Sequence, residues 1–250
     1  MPLKEEWNKR AKEDAFRYVS CFRKDWDDKS FYEWGEIQTQ MVIDQFFKAL
    51  NIDPSGWVVL EIGCGAGRMS RALASRFKFV FAYDVSDEYV RIAREKNSHL
   101  RNIVFNVNDG VSFPEVGDGS VDFAFSGWTM QHMPTQAIVI KNIAEIARVL
   151  KNAGLYKIDP AISAHSKIVE TIISKVLSSK IPKFCAPLLG IDKFVVTPTW
   201  RGARFAEEEI SSVLSRNGLT VNPLVEDDGL ERFQGKKEMR KWFYGKKIKA

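Results

Sequence analysis

Three glycines within five residues constrain the fold of this chain more than any other feature of its sequence. Gly63, Gly65 and Gly67 follow the short apolar run 57–62 and precede a segment in which apolar residues have helical spacing. A short apolar run predicts a strand that is buried on both faces of a sheet. Glycines between a strand and a helix allow a sharp turn and a close approach of backbone and ligand. We therefore predict a strand, a ligand-binding loop and a helix, in this order.

An acidic residue completes the pattern. Asp84 ends a second apolar run, 79–84, and lies 21 residues after Gly63. At this distance, an acid at the carboxyl end of the next strand can accept hydrogen bonds from ribose hydroxyl groups. The helix after a glycine loop also offers free N–H groups at its N-terminus. These features predict a ligand that contains a nucleotide, bound at the carboxyl ends of the strands.

Alternating strand and helix patterns predict an α/β fold with a doubly wound, seven-stranded, mostly parallel sheet of the Rossmann-like kind. The predicted strands are 57–62, 79–84, 103–107, 121–126, 154–159, 219–225 and 242–244. The predicted helices are 4–24, 30–50, 69–77, 86–93, 134–150, 166–178 and 205–217. Ser30 and Glu33 form a predicted capping box, and Ser86 is a predicted N-cap.

The chain is predicted to form a single domain with four parts. Residues 1–52 form an N-terminal helical cap, and residues 53–159 form the ligand-binding core. Residues 160–203 break the alternation of strands and helices, so we predict a helical insertion after the fifth strand. Residues 204–250 contain the last strands and a basic tail.

The net charge of +5 comes from the end of the chain. Residues 231–250 contain eight lysines and arginines but two acidic residues, so the remainder of the chain is close to neutral. A basic tail of this kind is either a solvated segment or a means of gathering a polyanion such as RNA.

Cysteines and histidines give no sign of a metal site or of disulfide bonds. Three cysteines and three histidines are scattered along the chain without the spacing of metal ligands. We therefore expect no bound metal and a reducing, cytoplasmic setting. No apolar run reaches the length of a transmembrane helix, and the charged start of the chain lacks the apolar stretch of a secretory signal.

The residues around the glycines favour one kind of nucleotide ligand. Arg68 occupies the position of the third glycine in the dinucleotide fingerprint G-x-G-x-x-G, which argues against an NAD-dependent oxidoreductase. The chain instead reads G-x-G-x-G, with Glu61 two residues before the first glycine. This pattern, Leu60–Gly67, resembles the first motif of the class I S-adenosylmethionine-dependent methyltransferases.

Further segments resemble that family in the order in which its motifs occur. They are Asp84, 108–110, 113–126, 131–134 and 204–219, and the resemblance covers roughly residues 57–160 and 204–245. The loop 131–134 is similar to that of the small-molecule branch of the family. The resemblance implies S-adenosyl-L-methionine as the cofactor. It implies that the cofactor site includes Glu61, Gly63, Cys64, Gly65, Ala66, Gly67, Asp84, Val85, Asn108, Asp109, Gly110, Ser126 and Gly127.

The implied activity is methyl transfer to a small molecule or to a glycan or lipid precursor. His132 is predicted to act as a general base, because it follows the fourth strand, where the methyl group of the cofactor should face. An imidazole pKa of about 6.5 suits this role. Alternatively, His132 only orders the start of the helix at Pro134.

The acceptor pocket is predicted to lie above the sheet. Its candidate aromatic walls are Tyr18, Trp34, Trp128 and Trp200, which otherwise pack in the core. Arg201 and Arg204 are predicted to bind a carboxylate or phosphate group of the acceptor, unless they lie in a solvated loop.

Two other functions are compatible with the sequence. The chain could methylate RNA or protein, with the basic tail gathering the polyanion. However, 126–129 reads Ser-Gly-Trp-Thr, where an Asn-Pro-Pro-Tyr type motif would favour methylation of base amino groups. The chain could also be a non-catalytic, cofactor-binding partner of another protein, since one fold hosts several functions.

Overall fold

A seven-stranded sheet lies at the centre of the fold. The structure, a computed structural model, describes residues 3–20, 25–163, 202–227 and 239–248. The strands are β1 (Val58–Ile62), β2 (Phe79–Asp84), β3 (Ile103–Val107), β4 (Val121–Ser126), β5 (Leu150–Ile158), β6 (Ala161–Ile162), β7 (Arg204–Phe205), β8 (Asn222–Asp227) and β9 (Met239–Lys246). The helices are α1 (Leu3–Val19), α2 (Asp28–Thr39), α3 (Gln45–Leu50), α4 (Arg68–Ala74), α5 (Asp87–Lys96), α6 (Gln136–Val149) and α7 (Glu207–Arg216). A π-helical turn, Gln40–Asp44, joins α2 to α3, and a 3₁₀ turn, Met130–His132, follows β4.

The strand order confirms the predicted doubly wound, mostly parallel sheet. The order is β3-β2-β1-β4-β5-β9-β8, and β6 pairs separately with β7. Strands β1 to β5 are parallel, whereas β9 runs antiparallel to both of its neighbours. The order reverses between β1 and β4, and open α/β sheets bind their ligands at such a switch point, beyond the carboxyl ends of the strands.

Three of the seven predicted strands have the observed bounds, and four differ. Strand β1 begins at Val58 rather than at residue 57, and β9 spans Met239–Lys246 rather than 242–244. The strands β2, β3 and β4 begin and end at the predicted residues. The fifth strand begins at Leu150 rather than at residue 154, because Leu150 already pairs with Val121 before the register shifts. The eighth begins at Asn222 rather than at residue 219, because Leu219 makes only an isolated bridge to Lys247.

The predicted capping box at Ser30 is wrong. Helix α2 begins at Asp28, and the Asp27 side chain caps it by accepting a hydrogen bond from Ser30 N (2.7 Å). The Ser86 cap is confirmed, since Ser86 Oγ accepts a bond from Tyr89 N (3.2 Å). The helix predicted at 166–178 lies outside the described residues.

Three apolar clusters hold these elements together. The first packs α6 and α7 on one face of the sheet, and the second packs α3, α4 and α5 on the other. Adjacent residues of β1, Leu60 and Val59, point into different clusters because successive side chains of a strand alternate between its faces. The third cluster joins α1 and α2 to Ala66 and Tyr89. Within the described residues, none of the helices has the length and apolar character needed to cross a membrane.

Candidate functional site

The glycine loop joins β1 to α4 at the carboxyl edge of the sheet. Its three glycines have φ angles of +81°, +51° and +77°, which other residues rarely adopt. Gly63 also lies against the loop after β4, because a Cβ on Gly63 would be only 2.1 Å from Thr129 Oγ1. The N–H groups of Gly63 and Cys64 donate to the carbonyl oxygen of Tyr83 in β2 (2.7 and 2.9 Å). The loop therefore brings the ends of β1, β2 and β4 together.

Asp84 lies beside this loop at the end of β2. Its Oδ2 accepts a hydrogen bond from Gly65 N (2.9 Å), and its Oδ1 accepts one from Ser86 N (2.9 Å). Loss of solvent contact raises the pKa of Asp84, and the two backbone bonds partly oppose this rise. A carboxylate has about four lone-pair sites, so both oxygens can accept further donors. The structure thus brings the predicted acid and the predicted glycine loop into direct contact.

Glu61 in β1 and Cys64 in the glycine loop are both buried. Glu61 Oε2 accepts a hydrogen bond from Ser70 Oγ (2.5 Å), which ties β1 to α4. Burial raises the pKa of Glu61 to about 7, and the bond from Ser70 opposes part of this rise. Burial also raises the pKa of the Cys64 thiol, so this thiol stays protonated at neutral pH and is a poor nucleophile.

The loop after β3 is a tight turn held by its own side chains. The Asp109 side chain is exposed, and its Oδ1 accepts bonds from Val111 N (2.9 Å) and Ser112 N (2.7 Å). Desolvation raises the pKa of Asp109, but these bonds lower it by more, so the net shift is downward. Asn108 Oδ1 accepts a bond from Gly110 N (3.1 Å). Oδ1 of Asp109 is therefore engaged within its own turn.

The loop after β4 holds Trp128 in a left-handed conformation. Its φ is +59°, which is uncommon for a bulky residue and requires support from the surroundings. Trp128 N donates to Oδ2 of Asp159 at the end of β5 (2.7 Å). The indole stands perpendicular to that of Trp242 in β9, with ring centroids 5.6 Å apart. Ser126, which is fully buried, and Gly127 lead into this loop from β4.

Comparison with known proteins identifies the family. A family model described as "Methyltransferase domain" matches residues 59–154. A "probable cobalt-precorrin-6B C(15)-methyltransferase (decarboxylating)" of Methanococcus maripaludis is 32% identical over 178 residues, which are 69% of this chain and 82% of that protein. The chain belongs to the class I S-adenosylmethionine-dependent methyltransferases.

A second relative and a solved structure extend the comparison with this family. Phosphoethanolamine N-methyltransferase 1 of Caenorhabditis elegans is 32% identical over 97 residues, which are 39% of this chain. The chain spans only 20% of the length of that relative. The structure of magnesium protoporphyrin IX methyltransferase from Synechocystis PCC 6803 with bound SAH superposes with a TM-score of 0.65 at 16% identity. It covers 98% of this chain and 97% of that one, which shows a shared fold over almost the whole length.

His132 and the predicted acceptor residues occupy different elements of this methyltransferase fold. The His132 ring is half-buried and packs edge-on against Trp7 of α1, with ring centroids 5.5 Å apart. Its Nε2 lies 3.2 Å from the side-chain nitrogen of Gln131. Tyr18 is buried in α1, Trp34 is buried in α2, and Arg204 is exposed in β7. Trp200 and Arg201 lie outside the described residues.

Helix α1 belongs to the segment 1–52, predicted as a helical cap, and packs along the predicted cofactor edge. A Cβ added to Gly110 would lie 3.7 Å from side-chain atoms of Leu3 and of Val85, so Leu3 of α1 packs beside the loop after β3. The backbone of Asp14 is extended (φ −166°, ψ 94°), which breaks α1 before its last turns. Asp14 Oδ1 accepts a bond from Arg17 N (3.0 Å) and so acts as the cap of the second segment. This break lets α1 follow the edge of the sheet.

Two buried charged groups at the end of β5 were not predicted from the sequence. Asp159 is 1% exposed, and Lys157 is fully buried. Lys157 Nζ donates to the carbonyl oxygen of Val42 in the π-helical turn (2.8 Å) and lies 5.0 Å from two aromatic ring centroids. Asp159 ends the predicted fifth strand at the carboxyl edge, as Asp84 ends the second, and this position could have identified it. A lysine inside an apolar strand carries no such signal. Among the described residues, no group of three or more His, Cys, Asp or Glu side chains could hold a metal ion.

Proposed function

We propose that this chain binds S-adenosylmethionine and transfers the methyl group to a small-molecule acceptor. The observation that carries the proposal is the hydrogen bond from Gly65 N to Asp84 Oδ2 (2.9 Å), which sets a ribose-binding acid against a glycine loop. Family membership supports the type of reaction. A small acceptor is supported by the names of two relatives, which refer to phosphoethanolamine and to cobalt-precorrin-6B.

The residues at the switch point fit this cofactor. Asp84 would accept bonds from the ribose hydroxyl groups, because each of its oxygens receives one backbone donor and has a further lone pair. The glycine loop would pass close to the methionine part, and Val85 with residues 108–110 would meet the adenine. Glu61 fixes the start of α4 through Ser70. When bound, S-adenosylmethionine supplies a methyl group on a positively charged sulfur, which is a good leaving group.

The acceptor would enter between α1 and the loop after β4. His132 is our candidate general base for a hydroxyl or ammonium acceptor, and Trp7 fixes the plane of its ring. Trp128 would form one wall, because Asp159 holds its backbone. Tyr18 and Arg204 are further candidates for contact with the acceptor. Glycan precursors and lipid precursors are among the acceptors that we consider.

We further propose that the chain forms one domain in which residues 1–52 cap the core 53–159. Tyr32 supports this arrangement, because its hydroxyl donates to the carbonyl oxygen of Ala66 in the glycine loop (3.0 Å). The proposed insertion 160–203 lies largely outside the described residues, and Arg204 of the C-terminal part 204–250 would line the acceptor side.

Calorimetry with S-adenosylhomocysteine and, in parallel, with NAD tests the cofactor. We expect micromolar binding of S-adenosylhomocysteine and a loss of about tenfold or more in Asp84→Ala, because charge-assisted bonds to the ribose are removed. Asp53→Ala is the matched control and should have a small effect, because its exposed carboxylate is bonded within the turn before β1. Binding of NAD alone would contradict the proposal.

Transfer of a radiolabelled methyl group tests the acceptor. The acceptors offered are phosphoethanolamine, other small amines and phenols, total RNA and a protein extract. We expect label in a small molecule. Label in RNA that disappears at high salt, and on removal of residues 231–250, would instead support the RNA methyltransferase. Label in protein would support the protein methyltransferase.

A further inference from the structure

Tyr89 lies in the first turn of α5, close to both Asp84 and the glycine loop. Its N–H donates to Ser86 Oγ (3.2 Å), and Ser86 N donates to Oδ1 of Asp84 (2.9 Å). The Tyr89 ring packs in the third apolar cluster, which includes Ala66 of the glycine loop. Two hydrogen bonds therefore link the position of Tyr89 to the acid that is proposed to hold the ribose.

Helix α1 covers another side of the Tyr89 ring. The ring centroid of Trp7 lies 6.3 Å from that of Tyr89, and Ala11 belongs to the same apolar cluster. Asn8 Oδ1 accepts a hydrogen bond from Ser86 Oγ (2.6 Å), which ties α1 to the start of α5. Tyr89 is consequently only 1% exposed.

The Tyr89 hydroxyl is buried and has no hydrogen-bond partner among the residues that the structure describes. Three other buried tyrosines do have one, since their hydroxyls donate as follows: Tyr32 to Ala66 O (3.0 Å), Tyr83 to Glu115 Oε2 (2.5 Å) and Tyr156 to Thr220 O (2.7 Å). A buried hydroxyl without a partner is unfavourable, so a phenylalanine would fit this apolar cluster better. Packing alone therefore does not explain the phenol at position 89.

The charges around Tyr89 act on its hydroxyl and keep it protonated. Burial raises the pKa of Tyr89, the charge of Asp84 raises it further, and the charge of Arg10 lowers it in part. Asp14 and Tyr18 of α1 raise it by less. Because such effects weaken with distance, the strongest of the charge effects places the hydroxyl near Asp84. At neutral pH the hydroxyl is thus a hydrogen-bond donor beside the proposed ribose site.

We infer that the Tyr89 hydroxyl donates a hydrogen bond to a ribose hydroxyl oxygen of the cofactor, next to the bonds that Asp84 accepts. This inference rests on the proposed function. A hydroxyl group has one proton to donate and two lone pairs that can accept. An ionised carboxylate can only accept, so Asp84 leaves those lone pairs unused and Tyr89 supplies the missing donor. Tyr89 would therefore make the chain select ligands with an intact ribose.

Three ligands and two variants test this contact. The ligands are S-adenosylhomocysteine and its 2′-deoxy and 3′-deoxy forms, each of which lacks one ribose hydroxyl. Tyr89→Phe removes only the phenolic oxygen. Tyr156→Phe is the matched control, because it removes the hydroxyl of another buried tyrosine, whose partner is Thr220 O beside β5.

Calorimetry should give a loss that depends on the ribose. We expect S-adenosylhomocysteine to bind Tyr89→Phe about threefold to tenfold more weakly than the wild type. The deoxy form that lacks the hydroxyl contacted by Tyr89 should bind the wild type and Tyr89→Phe equally, whereas the other deoxy form should show the same loss as S-adenosylhomocysteine. Tyr156→Phe should bind all three ligands as the wild type does.

Urea denaturation without ligand should rank the two variants in the opposite order. We expect the midpoint of Tyr89→Phe to be no lower than that of the wild type, because no hydrogen bond within the protein is lost. The midpoint of Tyr156→Phe should be lower, since its bond to Thr220 is lost.

The outcomes distinguish this inference from the proposed function. Equal affinity of the wild type and Tyr89→Phe for S-adenosylhomocysteine would overturn the role of Tyr89, and so would a loss of the same size for all three ligands. A urea midpoint for Tyr89→Phe as low as that of Tyr156→Phe would also overturn it, because the hydroxyl would then have a partner inside the protein. Failure of the wild type to bind S-adenosylhomocysteine would instead overturn the proposed function itself.

Discussion

Replacing Gly63 with alanine tests the close approach of the glycine loop to the loop after β4. A Cβ on Gly63 would lie 2.1 Å from Oγ1 and 2.2 Å from Cγ2 of Thr129. The alanine would also be held at a φ of +81°, and left-handed backbone costs a residue with a side chain about 1–2 kcal/mol. Displacing the Thr129 loop costs about 1–3 kcal/mol, as for other overpacked sites. We therefore expect Gly63→Ala to lower the free energy of unfolding by about 2–5 kcal/mol, measured by urea denaturation.

Two companion variants separate these contributions. Gly56→Ala is the matched control, because a Cβ there has no atom within 4 Å, and its effect should stay within about 0.5 kcal/mol. In a Thr129→Gly background the clash is absent. Gly63→Ala should then lower the free energy of unfolding only by the cost of the left-handed backbone, about 1–2 kcal/mol. If Gly63→Ala were tolerated as well as Gly56→Ala, or if Thr129→Gly gave no relief, the argument from this contact would be refuted.

Three further predictions follow from other contacts. Burial raises the pKa of Glu61 from 4.5 to about 7, so the folded state keeps a proton that the unfolded state loses. Stability should then fall by up to about 3 kcal/mol as the pH rises between these two values. Urea denaturation of Glu61→Gln should show a flatter pH profile, and an unchanged slope would argue against this assignment. Asp27→Ala should cost about 1 kcal/mol of stability through loss of the α2 cap, while Glu33→Ala should change little; the opposite ranking would favour the capping box at Ser30. His132→Ala should lower turnover of the acceptor found by label transfer and leave the affinity for S-adenosylhomocysteine unchanged in calorimetry; normal turnover would remove His132 from the mechanism.

The strands were predictable where an apolar run has polar or turn residues on both sides. Such runs gave the observed bounds of β2, β3 and β4, even though β3 is an edge strand with an exposed Val104. The start of β5 was not predictable, since α6 ends at Val149 and β5 begins at Leu150 with no glycine or proline between them. The cap of α2 was misassigned because Asp27 and Ser30 are both good capping residues, three positions apart, and local sequence does not rank them.

In the candidate site, contacts between residues close in the sequence were predictable, whereas contacts between distant segments were not. The glycine loop and Asp84 belong to one strand–helix–strand unit, whose geometry fixes their distance, so their contact could be predicted. The contact of Trp7 with His132 depends on where α1 packs, which the spacing of apolar residues does not specify. Arg10 shows this most clearly, because a helical pattern assigns an arginine to the solvent side, whereas packing buries it completely.

The π-helical turn Gln40–Asp44 lies between two packed positions of one continuous helical segment. Before it, Gly35 faces α4, where a Cβ would lie 2.3 Å from the carbonyl oxygen of Arg68. After it, the Phe46 ring stacks on Phe123 of β4, with centroids 5.9 Å apart. A π turn accommodates one residue more than α-helix does, so deleting one residue here would restore a regular α-helix and leave both contacts facing their partners. Relatives that lack one residue in this stretch should therefore keep this packing, with an α-helical turn in place of the π turn.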